Sequence, residues 1–162
     1  MIYRNLKQYD NAIADYTKAI ELNPNFASAY NNRGNVYTNL KQYDKALADF
    51  NKALQINPNF DFAYNNRGNV YRNLKQYDKA IADYNKAIQL NPNYDNAYNH
   101  RGMVYRNLKQ YDKAIVDFSK AIQLNPNNSD YYQRRGKCYQ NLGETEKANA
   151  DFEKAKQLGY QE

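Results

Sequence analysis

The 162-residue sequence contains no tryptophan, one cysteine, four prolines and six glycines. A single cysteine, Cys138, excludes an intramolecular disulfide framework and is typical of a reducing compartment, so we expect a cytoplasmic location. No apolar run approaches the roughly 18 residues of a membrane-spanning helix, and the N-terminal MIYRNLKQYD lacks the apolar segment of a signal peptide. We therefore expect no membrane insertion.

The charge balance is mildly basic. The chain carries 23 lysines and arginines against 17 aspartates and glutamates, which gives a formal net charge of +6. Such an excess favours acidic partners and keeps nucleic acid conceivable, but it does not determine the fold. Charges of both signs are interspersed without long runs of one sign, which argues against a disordered binding tail.

Near-identical text returns every 34 residues. The stretch NLKQYDKAIADYNKAIQLNPN at 73–93 reappears as NLKQYDKAIVDFSKAIQLNPN at 107–127. The same period separates the members of two series, Gly34, Gly68, Gly102 and Gly136, and Pro24, Pro58, Pro92 and Pro126. A fixed period of this length is typical of stacked supersecondary units.

Each unit contains two helical patterns. In residues 61–94, Tyr64, Gly68 and Tyr71 share one helical face, and after a short break Tyr77, Ala80 and Tyr84 share another. The Asn-Pro-Asn that follows ends the second helix, because a residue before proline disfavours the helical region. The spacing predicts helices near 1–6, 9–22, 27–40, 43–56, 61–74, 77–90, 95–108, 111–124, 129–142 and 144–158.

These residues resemble the tetratricopeptide repeat (TPR) family, whose units are 34-residue helical hairpins. In 27–60 the matching positions are Tyr30, Gly34, Tyr37, Ala46, Phe50, Ala53 and Pro58, and Arg33 stands where the family has leucine. The resemblance implies an all-α, right-handed superhelical solenoid of antiparallel hairpins. The repeats would be a truncated one at 1–26, then 27–60, 61–94, 95–128 and 129–162, the last with a polar capping helix.

The arginines of this chain that replace the family's leucine lie on an apolar stripe, where an unpaired charge is costly. We therefore predict that each pairs with an aspartate of its own or of the preceding repeat, a choice that the sequence leaves open. The residues of these structural ion pairs would be Arg33, Arg67, Arg101 and Arg135 with Asp15, Asp49, Asp83, Asp117 and Asp151.

Candidate catalytic and metal-binding residues are few. His100 is the only histidine and occupies a position that varies between repeats, whereas Cys138 occupies a slot otherwise filled by valine and is expected in the core. No His, Cys, Asp or Glu cluster has metal-ligand spacing. We expect no enzymatic activity, no metal and no cofactor.

A second, polar stripe follows the first helix of each repeat, and in the TPR family this stripe lines the concave groove that binds extended peptides. Amides suit this role because each offers a donor and an acceptor to a peptide backbone. We expect a non-catalytic protein-interaction scaffold that binds a protein or peptide, acidic in character. The predicted peptide-binding residues are Asn31, Asn35, Phe62, Asn65, Asn69, Arg72, Asn73, Asn99, Met103, Arg106 and Lys137.

Alternatives stay open beside this prediction. One TPR branch clamps a C-terminal carboxylate, and Asn35 and Asn69 match its asparagines, but Asn31 and Asn99 replace its lysines, so the clamp is incomplete. The stripe could also be no more than a solvated, asparagine-rich face. An RNA-binding repeat is a third reading, although the near-constant asparagines do not vary as a base-reading code would, so nucleic acid is not expected.

The two ends of the array differ in polarity. Asn149 and Lys156 replace apolar residues in the last helix, as a terminal cap requires. At the N-terminal edge, Ile13, Tyr16 and Ile20 lack part of their cover. We expect either further repeats upstream or a homodimer through this edge, in which case the chain is also a self-association module.

Overall fold

The computed structural model describes the backbone of residues 2–161 and the side-chain surroundings of residues 8–161. Met1 and Glu162, the outer ends of the predicted repeats 1–26 and 129–162, lie outside the described residues. Residues 2–161 contain no β-strand, and the prediction of an all-α helical-hairpin fold is confirmed. The α-helices are α1 Ile2–Leu22, α2 Ala27–Asn39, α3 Tyr43–Ile56, α4 Asp61–Asn73, α5 Tyr77–Leu90, α6 Asp95–Asn107, α7 Tyr111–Leu124, α8 Ser129–Asn141 and α9 Thr145–Gln157.

The helices belong to two compact units, Met1–Lys79 and Ala80–Glu162. In the first unit, α1 packs on α2, α2 forms a hairpin with α3, and α4 packs on both α3 and α2. In the second unit, α6 forms a hairpin with α7, and α8 forms one with α9. Helix α8 also packs on α7 and α6, so the second unit stacks its two hairpins in chain order.

A Schellman motif closes the first helix of each hairpin. In α2 the N–H of Gln42 donates to the carbonyl of Tyr37 (2.8 Å), and the N–H of Lys41 donates to that of Thr38 (3.0 Å). This geometry places Lys41, Lys75 and Lys109 at φ of 57–58°, a region that glycine usually occupies. Gly143 fills the same position in the last hairpin, with φ of 77°.

The N-terminal part of the helix prediction is wrong. The sequence predicted two helices, 1–6 and 9–22, but α1 runs without interruption from Ile2 to Leu22. In repeats 27–60, 61–94 and 95–128 a lysine adopts the left-handed conformation at the turn between the two helices. Continuing α1 through the equivalent Lys7 retains the i→i−4 hydrogen bonds and avoids that conformation.

The core lies between paired helices within each unit. In the first unit, Ala46, Phe50 and Val70 are fully buried together. Gly34 is required there, because an added Cβ atom would lie 2.9 Å from Cε1 of Phe50. The close neighbour is therefore a phenyl ring of the second helix.

The ends of the chain present different surfaces. Asn149 and Lys156 are exposed on α9, which gives the last helix a polar outer face. At the N-terminal edge, Ile13, Tyr16 and Ile20 are half-buried, and Leu22 at the end of α1 is 76% exposed. Association through this edge stays a prediction.

Candidate peptide-binding surface

The recurrent arginines form bidentate ion pairs inside the hairpins. Nε and Nη2 of Arg33 donate to the two carboxylate oxygens of Asp49, each at 2.8 Å. These hydrogen bonds, with the charge of Asp49, raise the pKa of the Arg33 guanidinium above its usual value. Arg101 pairs in the same way with Asp117, and Arg135 with Asp151. The partner is in each case the aspartate of the same repeat.

A neutral oxygen from the preceding second helix completes each arginine site. Nη1 of Arg33 donates to Oγ1 of Thr17 (2.9 Å), and Nη1 of Arg67 to Oδ1 of Asn51 (2.7 Å). In the second unit the acceptors are Asn85 for Arg101 and Ser119 for Arg135. Arg33, Arg101 and Arg135 thereby each join three helices. Asp15 is exposed and is not the partner of Arg33, and the pairing of Arg67 with Asp83 stays a prediction.

Three of the predicted peptide contacts lie below the surface. Asn31, Asn65 and Asn99 are only 3–5% exposed. Oδ1 of Asn31 accepts from Nδ2 of Asn66 (3.0 Å), and Oδ1 of Asn99 accepts from Nη1 of Arg134 (2.6 Å). These two hydrogen bonds tie the first helices of consecutive repeats together, and Asn31, Asn65 and Asn99 present little surface to a ligand.

The remaining predicted residues of the first unit reach the surface. Asn35, Asn69 and Arg72 are half-buried, and Asn73 is exposed. Phe62 is 49% exposed. A shallow cavity of about 480 Å³ lies beside this row, lined by Ser28, Asn31, Asn32, Asn35, Phe60, Phe62 and Asn66.

Sequence reasoning missed Asn32, Asn66 and Phe60 as lining residues. Asn32 and Asn66 share a repeat position with His100 and Arg134. That position varies along the chain, whereas the preceding, buried position is asparagine in three repeats. This difference in variability could have indicated which of the two side chains lines the cavity.

In the second unit the predicted residues differ in depth. Met103 is half-buried and packs against the core cluster of Ala114, Phe118 and Cys138. Arg106 is half-buried and Lys137 is exposed, and neither forms an ion pair with a described residue. Burial raises the pKa of the Cys138 thiol to about 11, and the positive charge of Arg106 opposes this.

The structure offers little for bond-making chemistry. Cys138 is fully buried with a raised pKa, so its thiolate is disfavoured. The ring centroid of His100 lies 5.9 Å from that of Tyr84. Within the described part of the chain, no group of three or more His, Cys, Asp or Glu side chains is placed to hold a metal ion. None of the described helices combines the length and apolar character needed to cross a membrane.

Family models match nearly the whole chain. A tetratricopeptide repeat model matches residues 27–60, 62–94 and 96–128, and two further TPR models match 2–41 and 118–148. The chain belongs to the tetratricopeptide repeat family. TPR proteins generally act as non-catalytic scaffolds for protein interactions. The search of curated protein sequences gave no match.

Solved structures of TPR proteins resemble this one. MamA is 28% identical with a TM-score of 0.84, over 96% of this chain and 91% of MamA. YrrB, a TPR protein with an unusual peptide-binding site, is 28% identical with a TM-score of 0.75, over 98% and 81% of the two chains. The first TPR domain of Spaghetti (RPAP3), bound to the HSP90 peptide SRMEEVD, is 30% identical with a TM-score of 0.70, over 72% and 93%.

Proposed function

We propose that this TPR chain is a non-catalytic scaffold whose first helices bind extended, acidic peptide segments. In the first unit the contacts are Asn35, Phe62, Asn69, Arg72 and Asn73. In the second unit they are Met103, Arg106 and Lys137. YrrB and the RPAP3 domain, both similar to this chain, bind peptides, which supports the proposal.

The observation that carries the proposal is that some cationic side chains form ion pairs within the fold, whereas others on the same helices do not. Arg33, Arg101 and Arg135 each have both carboxylate oxygens of an aspartate as partners, so they serve the fold. Arg106 and Lys137 lie on the same helices without an ion-pair partner among the described residues. Their charge remains available to an acidic ligand.

The amides add backbone recognition to this charge. Asn35, Asn69 and Asn73 stand on helices that are fixed by the arginine sites, so their positions cost little to order. A flexible peptide still bears its own ordering cost, and we expect affinities of about micromolar.

Selection from a library of random peptides tests the proposal. Peptides enriched on the wild-type protein should be acidic, and their dissociation constants are then measured by fluorescence anisotropy. Arg106→Thr takes the residue that Thr38 provides at the same repeat position, so it should preserve the fold. It should weaken binding about tenfold or more, the usual effect of losing a charge-assisted hydrogen bond.

Lys120→Ala is the matched control. It removes the same charge from the second helix of that repeat, where Nζ of Lys120 donates to Oε1 of Gln123 in an exposed position. It should leave the dissociation constant unchanged. Failure to enrich any peptide, or equal effects of the two variants, would contradict the proposal.

A further inference from the structure

The cavity of the first unit carries no charge. It lies between the first helices α2 and α4. Helix α2 contributes one serine and three asparagines, and α4 contributes Phe62 and Asn66. Phe60, which precedes α4, completes the lining. Its volume of about 480 Å³ falls within the range of small-ligand pockets, roughly 300–1,000 Å³. None of the lining residues could form a salt bridge with a charged ligand, so the lining suits an uncharged group.

The amides along the wall donate in one direction. Nδ2 of Asn65 donates to Oδ1 of Asn66 (3.4 Å), Nδ2 of Asn66 to Oδ1 of Asn31 (3.0 Å), and Nδ2 of Asn31 to Oδ1 of Asn32 (3.2 Å). Asn32 is exposed, and its own amide NH₂ donates to none of the described residues. The series therefore ends on a donor from an exposed residue that lines the cavity, and this donor suits a carbonyl oxygen.

Two phenyl rings form the apolar side. The centroids of Phe60 and Phe62 lie 6.5 Å apart with an angle of 74° between the ring planes, an edge-to-face arrangement. Phe62 is 49% exposed. A third ring could extend the arrangement, because aromatic pairs prefer edge-to-face or offset contacts at centroid distances of about 4.5–7 Å.

The second unit has different chemistry at the equivalent positions. Asn128 takes the place of Phe60, Asp130 that of Phe62, and Arg134 that of Asn66, each 68 residues further along. Nη2 of Arg134 lies 3.3 Å from Oδ2 of Asp130. The aromatic, uncharged lining is thus a property of the first unit and does not follow from the repeat itself.

We propose that this cavity binds one uncharged aromatic side chain of the extended peptide, against Phe60 and Phe62. The NH₂ of Asn32 and the hydroxyl of Ser28 bond to the neighbouring peptide carbonyls. The inference rests on the proposed function and adds a side-chain preference to it: acidic residues bind to the cationic positions, and an aromatic residue binds in the cavity.

A coupling experiment between protein and peptide tests this step. Phe62→Ser introduces serine, which the preceding repeat has at the same, exposed position as Ser28. The peptide enriched by the wild-type protein should contain one recurrent aromatic residue. Changing that residue to alanine should weaken binding to the wild type about three- to tenfold, but should have no effect on binding to Phe62→Ser.

The outcomes separate the two proposals. If Arg106→Thr weakens binding but the aromatic residue contributes equally to wild type and Phe62→Ser, the cavity assignment is overturned and the scaffold function stands. If no peptide is enriched, both are overturned. Circular dichroism spectra of Phe62→Ser that match the wild type ensure that a loss of coupling reports on the cavity.

Discussion

Replacing Arg101 with leucine should destabilise the second unit by about 3–5 kcal/mol at neutral pH, the usual cost of removing one partner of a buried ion pair. Asp117 is only 2% exposed, and Arg101 donates to both of its carboxylate oxygens, at 2.9 and 2.6 Å. Without the guanidinium, the carboxylate stays buried with no cation. Asn85, which also loses a donor, is exposed and can bind water instead.

The loss should depend on pH in a defined direction. Burial raises the pKa of Asp117, and the hydrogen bonds and charge of Arg101 oppose that rise. In the variant only the effect of burial remains, so the folded-state pKa of Asp117 increases further. Such a group favours folding below its unfolded pKa of about 3.9, and that contribution is lost as the pH rises through the folded value. The stability difference from wild type should therefore shrink as the pH falls from neutral towards about 4.

Urea unfolding followed by circular dichroism measures both effects, with midpoint and slope compared because repeat arrays can unfold in steps. The double variant Arg101→Leu, Asp117→Leu should recover most of the loss, since it leaves no buried charge. Lys18→Ala removes the ion pair with Glu21, whose two side chains are 70% and 60% exposed, so it should change the urea midpoint little. A loss below about 1 kcal/mol for Arg101→Leu, a loss independent of pH, or a double variant as unstable as the single one would refute the reasoning.

Two further predictions concern the backbone of the hairpins. Lys41→Gly should increase the free energy of unfolding by about 0.5–1 kcal/mol and so raise the urea midpoint, because glycine adopts the left-handed conformation at φ of 57° without strain. A lowered midpoint would contradict this. Gly102→Ala should cost about 1–3 kcal/mol, because its Cβ atom would lie 2.9 Å from Cε1 of Phe118. Adding Phe118→Leu should restore part of that loss, and an unchanged midpoint for Gly102→Ala would show that the ring moves aside freely.

The fold was predictable because local and repeated signals agree. The 34-residue period defines the hairpin, helical spacing defines the buried faces, and each Asn-Pro-Asn ends a helix. From α2 onwards, the helices observed begin and end within about a residue of their predicted bounds. The exception is α1, which contains the sequence NLKQYD at residues 5–10, identical to residues 39–44. The same six residues are helical in α1 and form a turn at Lys41, so local sequence alone does not decide between the two conformations.

The site was harder to predict because asparagine serves two purposes with the same chemistry. An amide can bond a peptide backbone or a neighbouring repeat, and helical spacing gives its direction but not its depth. Asn31 and Asn35 are four residues apart on one face, yet Asn31 is buried and Asn35 is half-buried. Depth depends on how closely the next first helix packs, which is a tertiary property. Asn66, for example, covers Asn31 from a position 35 residues away.

The arginine sites show why sequence could not choose between two aspartates. Arg33, Arg101 and Arg135 each have a second-helix neighbour 16 residues ahead and another 16 residues behind, and both supply an acceptor oxygen. Only the neighbour ahead is an aspartate, so each of these three guanidiniums is neutralised once, within its own hairpin. The neighbour behind needs no charge, and threonine, asparagine and serine all fill that position. Adjacent hairpins are therefore joined by a hydrogen bond from the arginine to a neutral acceptor, which avoids burying a second carboxylate at these junctions.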